Sequence, residues 1–465
     1  MIKIQPKIHD QHTLEFKVGY IASHGTSYND FEMNTWIYIP EALDVNRHTY
    51  PKENFYRDML SYIRLITPYY ALSELCKVDS LPYERLEDAC AKQAKEPNDK
   101  HREALEREIK MFASMVKSSI REAYRGITET NDGDINGFCK HIEILLQHYR
   151  QLLYLDFEPL RYGDEFISNV VEQHAFHLLD WRKSKGETSN ELWQLLEKED
   201  NYRKDQGYLR IKKSSKDQNS RFLYHAGQLK KYIESNLYLP THKRRNAVFL
   251  EQMVFSLAAG LSMVFATVIS FAFQQTYGNF TLPFFIALVI SYMFKDRIKE
   301  LVRLYFSTRL SSRLFDYKIQ IRVNNRQVGL CKEGFDFVTP EKTPRRVRAT
   351  RNRHQPLVLG KGIDEQVIQY RKRIHLKRKE LLRLSPYPLN GINDIVRINL
   401  SEYMRKMDNP EIPLYAHEGD AYEKVKGEKV YFLNFVMQLK YDDEVHYRRY
   451  RVCLNRQGIK EIETK

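Results

Sequence analysis

Asp132, Asp134, Asn136 and Gly137, followed by Glu143, keep the spacing of a calcium loop, D-x-[DN]-x-[DN]-G-x5-E. Oxygen ligands at those positions suit a hard divalent cation, and the glycine serves a sharp turn. Lys140, however, takes the place of a water-linked ligand, Asn131 stands where an apolar residue would help pack the pair, and there is no second loop. These residues are therefore read as a turn between two helices, with Asp134 or Asn136 as N-cap. His141 and His148 stand seven apart, and His174 and His177 three apart, without the carboxylate or third histidine that a metal needs. Gly360-Lys361-Gly362 lacks the frame of a phosphate loop. The five cysteines, Cys76, Cys90, Cys139, Cys331 and Cys453, form no paired motif, which suits buried thiols in a reducing compartment. No catalytic residue, cofactor or metal is assigned from these patterns.

Cations make the second signal. The net charge is +14, and residues 295–465 hold 37 Lys/Arg against 22 Asp/Glu, so the whole excess lies in that part. Two clusters concentrate it: Arg345, Arg346, Arg348, Arg351 and Arg353, where Pro344 argues against a helix, and Arg371, Lys372, Arg373, Lys377 and Arg378, expected on a helix. These residues are the candidate contacts for an anionic partner, either lipid headgroups or an acidic protein surface. Nucleic acid is disfavoured, because no recognition signature accompanies the charge.

One apolar element must position everything else. From residue 252 to 294 the chain carries no charge. Residues 253–273 form a run of about 31 Å as a helix, enough to cross a hydrocarbon core. A polar break at 274–279 precedes a shorter run at 280–294, so a two-helix transmembrane hairpin is expected. Lys243, Arg244 and Arg245 precede it and Lys295, Arg297 and Lys299 follow it. The positive-inside rule then places both termini in the cytoplasm, which in a bacterial chain would mean the plasma or inner membrane. Small residues recur every fourth position, Ala258, Ser262, Ala266 and Ser270 on the first helix and Pro283, Ala287 and Ser291 on the second. Such stripes serve packing within the hairpin or a homo-oligomer.

Around the hairpin the expected class is a membrane-anchored α+β protein. Residues 1–245 should form a mostly helical cytoplasmic domain opened by a β-hairpin at 14–23 and 31–40, and residues 246–294 the membrane hairpin. Residues 295–465 should form a basic α+β domain with strands at 317–323 and 327–338, ending in a β-meander over 429–463. Within the first domain, 83–126 reads as one long helix or a helical hairpin, with breaks at Asn131–Gly137 and at Tyr162-Gly163-Asp164.

Three functions remain: an interaction, scaffold or signalling protein at the inner leaflet, an oligomeric channel or transporter, and an enzyme with scattered site residues. Tyr277-Gly278-Asn279-Phe280 resembles the YGMNF loop of CorA-type magnesium channels over four residues, without the methionine. That resemblance would imply an ion channel assembled from several hairpins, although that family carries no large domain after its second helix.

Overall fold

The computed structural model describes residues 1–464 other than 23–25, 131–133, 214, 247, 279–280, 312–313, 324–325, 353–364, 384 and 420. The chain is mixed α+β and divides into two compact units. A sheet unit comprises 1–64, 240–386 and 391–465, and a helical unit comprises 65–239 with 387–390.

The strands are β1 (Ile2–Ile8), β2 (Thr13–Ile21), β3 (Tyr28–Pro40), β4 (Met59–Leu65), β5 (Thr241–Arg245), β6 (Tyr317–Val323) and β7 (Arg326–Val338). They continue with β8 (Glu365–Lys377), β9 (Gly391–Asn399), β10 (Glu411–Glu418), β11 (Ala421–Glu428), β12 (Tyr431–Tyr441), β13 (Glu444–Asn455) and β14 (Gly458–Thr464). The helices are α1 (Lys52–Asp58), α2 (Leu72–Leu75), α3 (Leu81–Lys95), α4 (Asp99–Thr130), α5 (Ile135–Gln151), α6 (Glu158–Ser184) and α7 (Asn190–Asp205). Then come α8 (Lys216–Glu234), α9 (Val248–Tyr277), α10 (Leu282–Ser311), α11 (Arg345–Asn352), α12 (Arg378–Arg383) and α13 (Ser401–Met404).

In the sheet unit an eight-stranded sheet runs β14-β13-β12-β3-β8-β7-β6-β5, and a four-stranded sheet runs β1-β2-β9-β4. Side chains alternate faces along each strand, so each strand can serve two layers. Phe16 of β2 meets Phe435 of β12 at 5.4 Å and Tyr450 of β13 at 5.5 Å, and Tyr20 meets Phe31 of β3 at 5.4 Å. These rings fill the space between the sheets. The opposite face of β3, through Trp36 and Tyr38, packs on Val347 of α11 together with Val367 and Val436.

Here the structure departs from the sequence expectation. The segments at 14–23 and 31–40 do not pair with each other; β2 joins β1 and β9, while β3 lies between β8 and β12. The N-terminal hairpin is β1–β2 instead. The domain expected over 1–245 is correspondingly split, because its strands find their partners far along the chain. Residues 371–377 are strand rather than helix, and 345–352 are helix rather than loop. Pro344 only precedes that helix, where a missing N–H costs nothing, and its carbonyl accepts from Arg348 N. The strands expected at 317–323 and 327–338 form as β6 and β7, and the terminal meander as β12–β13–β14.

The helical unit is a bundle. Ile109, Phe112, Val116 and Ile120 of α4 repeat at helical spacing and are all buried, so this stripe organises its core. Segment 83–126 is broken after Lys95 into α3 and α4. No break occurs at Tyr162-Gly163-Asp164, since α6 runs through it. Gly163 instead allows a close approach: a Cβ there would lie 2.0 Å from the Tyr149 hydroxyl.

Candidate functional site

The hairpin of α9 and α10 is an insertion between two neighbouring strands. β5 leads into α9, α10 leads back to β6, and β5 and β6 pair antiparallel with Arg245 opposite Tyr317. Asn246 seals the junction, its N–H donating to Asp316 O at 2.9 Å and its Nδ2 to Phe315 O at 3.1 Å. Over Gln252–Tyr277, α9 is the one helix among the described residues that is long and apolar enough to cross a membrane.

The two helices pack through their small residues. Ala258, Ser262, Ala287 and Ser291 are buried, and Ser291 Oγ donates to Ala266 O at 3.2 Å. Pro283 is exposed. Away from this seam the apolar side chains face outward: Leu257, Leu261, Val264, Val268 and Phe271 on α9, with Leu282, Phe285, Ile290, Met293 and Phe294 on α10. Burying such a side chain is worth roughly 1.5–3 kcal/mol, so this outer surface strongly favours an apolar medium.

The ten basic candidates do not form one surface. Arg345 and Arg346 of α11 are exposed and Arg348 is half-buried. Arg351 turns inward to pair with Glu365 at 2.5 Å, and Arg353 lies outside the described residues. On β8, Arg373 is exposed and pairs with Glu32 at 3.2 Å, while Arg371 donates to Leu314 O at 2.9 Å. Lys377 and Arg378 are half-buried. Lys372 is fully buried and has no surface to offer a partner. A strand sends successive side chains to opposite faces, so a contiguous basic run is divided between surface and core.

Lys372 anchors a cluster that the sequence reading missed. Its Nζ lies 2.5 Å from Asp394 Oδ2 and 3.0 Å from Glu333 Oε1, and donates to Ser61 Oγ at 3.2 Å. Ser61 Oγ donates to Asp394 Oδ1 at 2.6 Å, and the Tyr370 hydroxyl donates to Glu333 Oε1 at 2.9 Å. Lys243 of β5 reaches Glu333 Oε2 at 3.5 Å across the rings of Tyr56 and Tyr317. Two ammonium groups thus balance two carboxylates. Burial works against the charge on Lys372, but Asp394, with Tyr370 and Glu333, outweighs it and holds the pKa well above the ordinary lysine value. Burial likewise opposes the Glu333 carboxylate, and Lys372 and Lys243 bring its pKa below the ordinary value. Burial pushes the neighbouring Cys331 thiol up. The signal in the sequence was a lone acid on the inward phase of an apolar strand, Glu333 in β7 and Asp394 in β9.

A second buried network lies in the helical unit. Arg150 of α5 donates to Glu199 of α7 through both terminal nitrogens, at 2.9 and 2.8 Å, and through Nε to Asp164 of α6 at 3.1 Å. Tyr202 and Tyr208 donate to Asp164 Oδ2, each at 2.9 Å, and Ser168 donates to Glu199 at 2.9 Å. Burial raises the Asp164 pKa in spite of Arg150. The chemistry of both clusters is mutual charge compensation that ties elements together.

The calcium-loop residues that are described make other contacts. Asp134 caps α5, accepting from Gly137 N at 2.8 Å, and Glu143 pairs with Lys198 at 2.7 Å. Asn131, Asp132 and Gly133 lie outside the described residues, as do Asn279, Phe280 and Gly360-Lys361-Gly362. His174 bonds Val170 O at 2.8 Å and stacks edge-on with His177 and Tyr124, and burial lowers its pKa. Two open clefts occur in the sheet unit. One of about 690 Å³ holds the Arg47–Asp336 pair, and one of about 730 Å³ is lined by Asp30, Glu32, Arg373, Lys440 and Glu444.

Comparison with family models, with curated proteins and with solved structures finds no match for this chain.

Proposed function

We infer that this is a membrane-anchored interaction or scaffold protein whose folded units both face the cytoplasm. The observation that carries the reading is the pairing of β5 with β6 across the hairpin. Two strands hydrogen-bonded to each other lie on one side of a bilayer, so the segment between them crosses an even number of times. α9 is long enough to cross, and α10 is then its return. The exposed apolar surface of both helices supports the same reading. Cations flanking the two apolar runs, Lys243, Arg244 and Arg245 before that of α9 and Lys295, Arg297 and Lys299 after that of α10, support a cytoplasmic base. The small-residue stripes are occupied by packing of one helix on the other, which favours an anchor over a pore wall. The compensated clusters favour a structural use of the buried charge over catalysis.

The test is accessibility of cysteines introduced at Gln275, at the exposed far end of α9, and at Glu341, exposed in the sheet unit. Four of the five native cysteines are buried, so background labelling is low. An impermeant maleimide on intact cells should label Gln275→Cys and reach Glu341→Cys only after permeabilisation. Equal labelling of both positions, or labelling of neither before permeabilisation, overturns the topology.

A further inference from the structure

The helices of the hairpin are offset, and the offset places charge alongside apolar chain. Ser291 of α10 meets Ala266 of α9, and the Arg303 guanidinium lies 4.0 Å from the centre of the Phe255 ring. Both contacts give one antiparallel register, which sets Lys295 level with Ser262 and Lys299 level with Ala258. Those two α9 residues are buried in the seam, as that register requires. The apolar run of α9 begins at Met253, so Lys299 and Lys295 stand roughly 8 and 14 Å above its inner end at 1.5 Å per residue. α10 therefore turns polar while α9 beside it is still apolar.

Lys295, Lys299 and Arg303 follow a spacing of four and share one flank of α10. Asp296 and Glu300 border this flank, three residues before Lys299 and Arg303, but Glu300 is drawn to Arg297 across 3.7 Å with both side chains exposed. Lys295 lies 3.8 Å from the centre of the Tyr292 ring and Arg303 rests on Phe255, so two of the three cations sit against aromatic faces. Aromatic rings beside long cationic side chains suit the headgroup level of a bilayer.

We propose that Lys295, Lys299 and Arg303 form a binding site for the phosphate of an anionic phospholipid in the inner leaflet. The proposal rests on the membrane reading above. If α9 fills the hydrocarbon core, the cations of α10 stand below the plane of the bulk headgroups. An isolated cation at that depth is costly, and an anion drawn inward compensates it. Three cations on one flank favour an anionic headgroup over a zwitterionic one, and the exposed apolar side chains of Leu288 and Phe285, on the same flank two to three turns deeper towards the bilayer, can take its acyl chains.

The experiment reconstitutes the full chain in phosphatidylcholine vesicles with and without phosphatidylglycerol. Spin-labelled versions of each lipid report which is retained at the protein surface. Selectivity for phosphatidylglycerol of severalfold is expected, falling toward parity in Lys295→Gln/Lys299→Gln/Arg303→Gln and on raising salt. Lys295→Arg/Lys299→Arg should keep it, which separates charge from misfolding. Parity in the unaltered chain, or selectivity that survives the triple glutamine change, overturns the site. Loss of selectivity to inorganic phosphate alone would assign the cations to a soluble anion and overturn the lipid. A chain that does not stay with vesicles of either composition removes the membrane reading itself; one that stays without selectivity removes only this site.

Discussion

Lys372 Nζ and Asp394 Oδ2 are 2.5 Å apart, both side chains fully buried, and they join the central strand β8 of the large sheet to β9 of the small one. Glu333 and Ser61 complete the contact, so the sandwich is held by a compensated charge cluster as well as by its rings. Removing one partner of a buried pair leaves an unpaired charge out of reach of water, which costs more than the pair contributes. Lys372→Met should therefore destabilise the sheet unit by about 3–5 kcal/mol in urea unfolding of the full chain in detergent. Combining Lys372→Met with Asp394→Leu and Glu333→Leu should recover most of the loss. A single change costing under about 1 kcal/mol, the scale of an exposed pair, would contradict this account.

The same cluster fixes a pH dependence. Glu333 has a lowered pKa in the fold, so its contribution is present above the unfolded value of about 4.3 and is lost as pH falls through the folded value. Lys372 has a raised pKa, so its contribution is complete below about 10.4 and is lost as pH rises through the folded value. Unfolding midpoints measured against pH should show a neutral plateau with an acid fall that is shallower in Glu333→Gln. An acid limb unchanged by that substitution would place the titration elsewhere.

In the helical unit, Arg150 binds Asp164 and Glu199 together, whereas Arg210 binds Asp200 at the surface with the carboxylate half exposed. Arg150→Ala should cost about 3–5 kcal/mol and Arg210→Ala no more than about 1 kcal/mol, read from denaturant midpoints. Similar costs for the two would show that burial does not set their difference.

Two glycines should respond in opposite directions. Gly391 has φ of 151° and a Cβ there would lie 2.0 Å from the Tyr20 carbonyl oxygen, so Gly391→Ala must displace the β2–β9 pairing. A loss of at least about 2 kcal/mol, or failure to fold, is expected. Gly126 lies within α4 and an added Cβ meets nothing within 4 Å, so Gly126→Ala should stabilise by about 0.4–1 kcal/mol. Thermal midpoints of the two variants decide it.

On the outer face of α9, Val264 is 60% exposed and level with the apolar part of α10. On the proposed membrane reading, Val264→Arg should weaken insertion by about 2.5–3.5 kcal/mol and shift the chain from the carbonate-resistant membrane fraction to the supernatant. An unchanged membrane fraction would argue that this face does not meet lipid.

Much of the architecture could be read from residue patterns, and the failures have identifiable causes. The hairpin helices, β6, β7 and the terminal meander follow from unbroken apolar runs or alternation. β8 was misread because its inward phase, Ile368, Tyr370, Lys372, Ile374 and Leu376, is interrupted by a buried lysine, which makes the strand look like a basic helix. The split of β2 and β3 between sheets depends on partners more than 300 residues away, which no local pattern encodes. The charge cluster was invisible for a related reason: Ser61, Glu333, Lys372 and Asp394 come from four strands and meet only once both sheets exist.

The place of β3 between β8 and β12 has a consequence for the order in which the chain is made. Residues 28–40 are synthesised long before 365–377 and 431–441, so both hydrogen-bonding edges of β3 wait open through most of translation. The helical unit, almost contiguous in sequence, can close in that interval. On the proposed reading the hairpin then enters the bilayer, and the sheet unit closes last. On that reading membrane insertion precedes completion of the sheet, and a chain that stalls there carries an unpaired central strand, an aggregation-prone form.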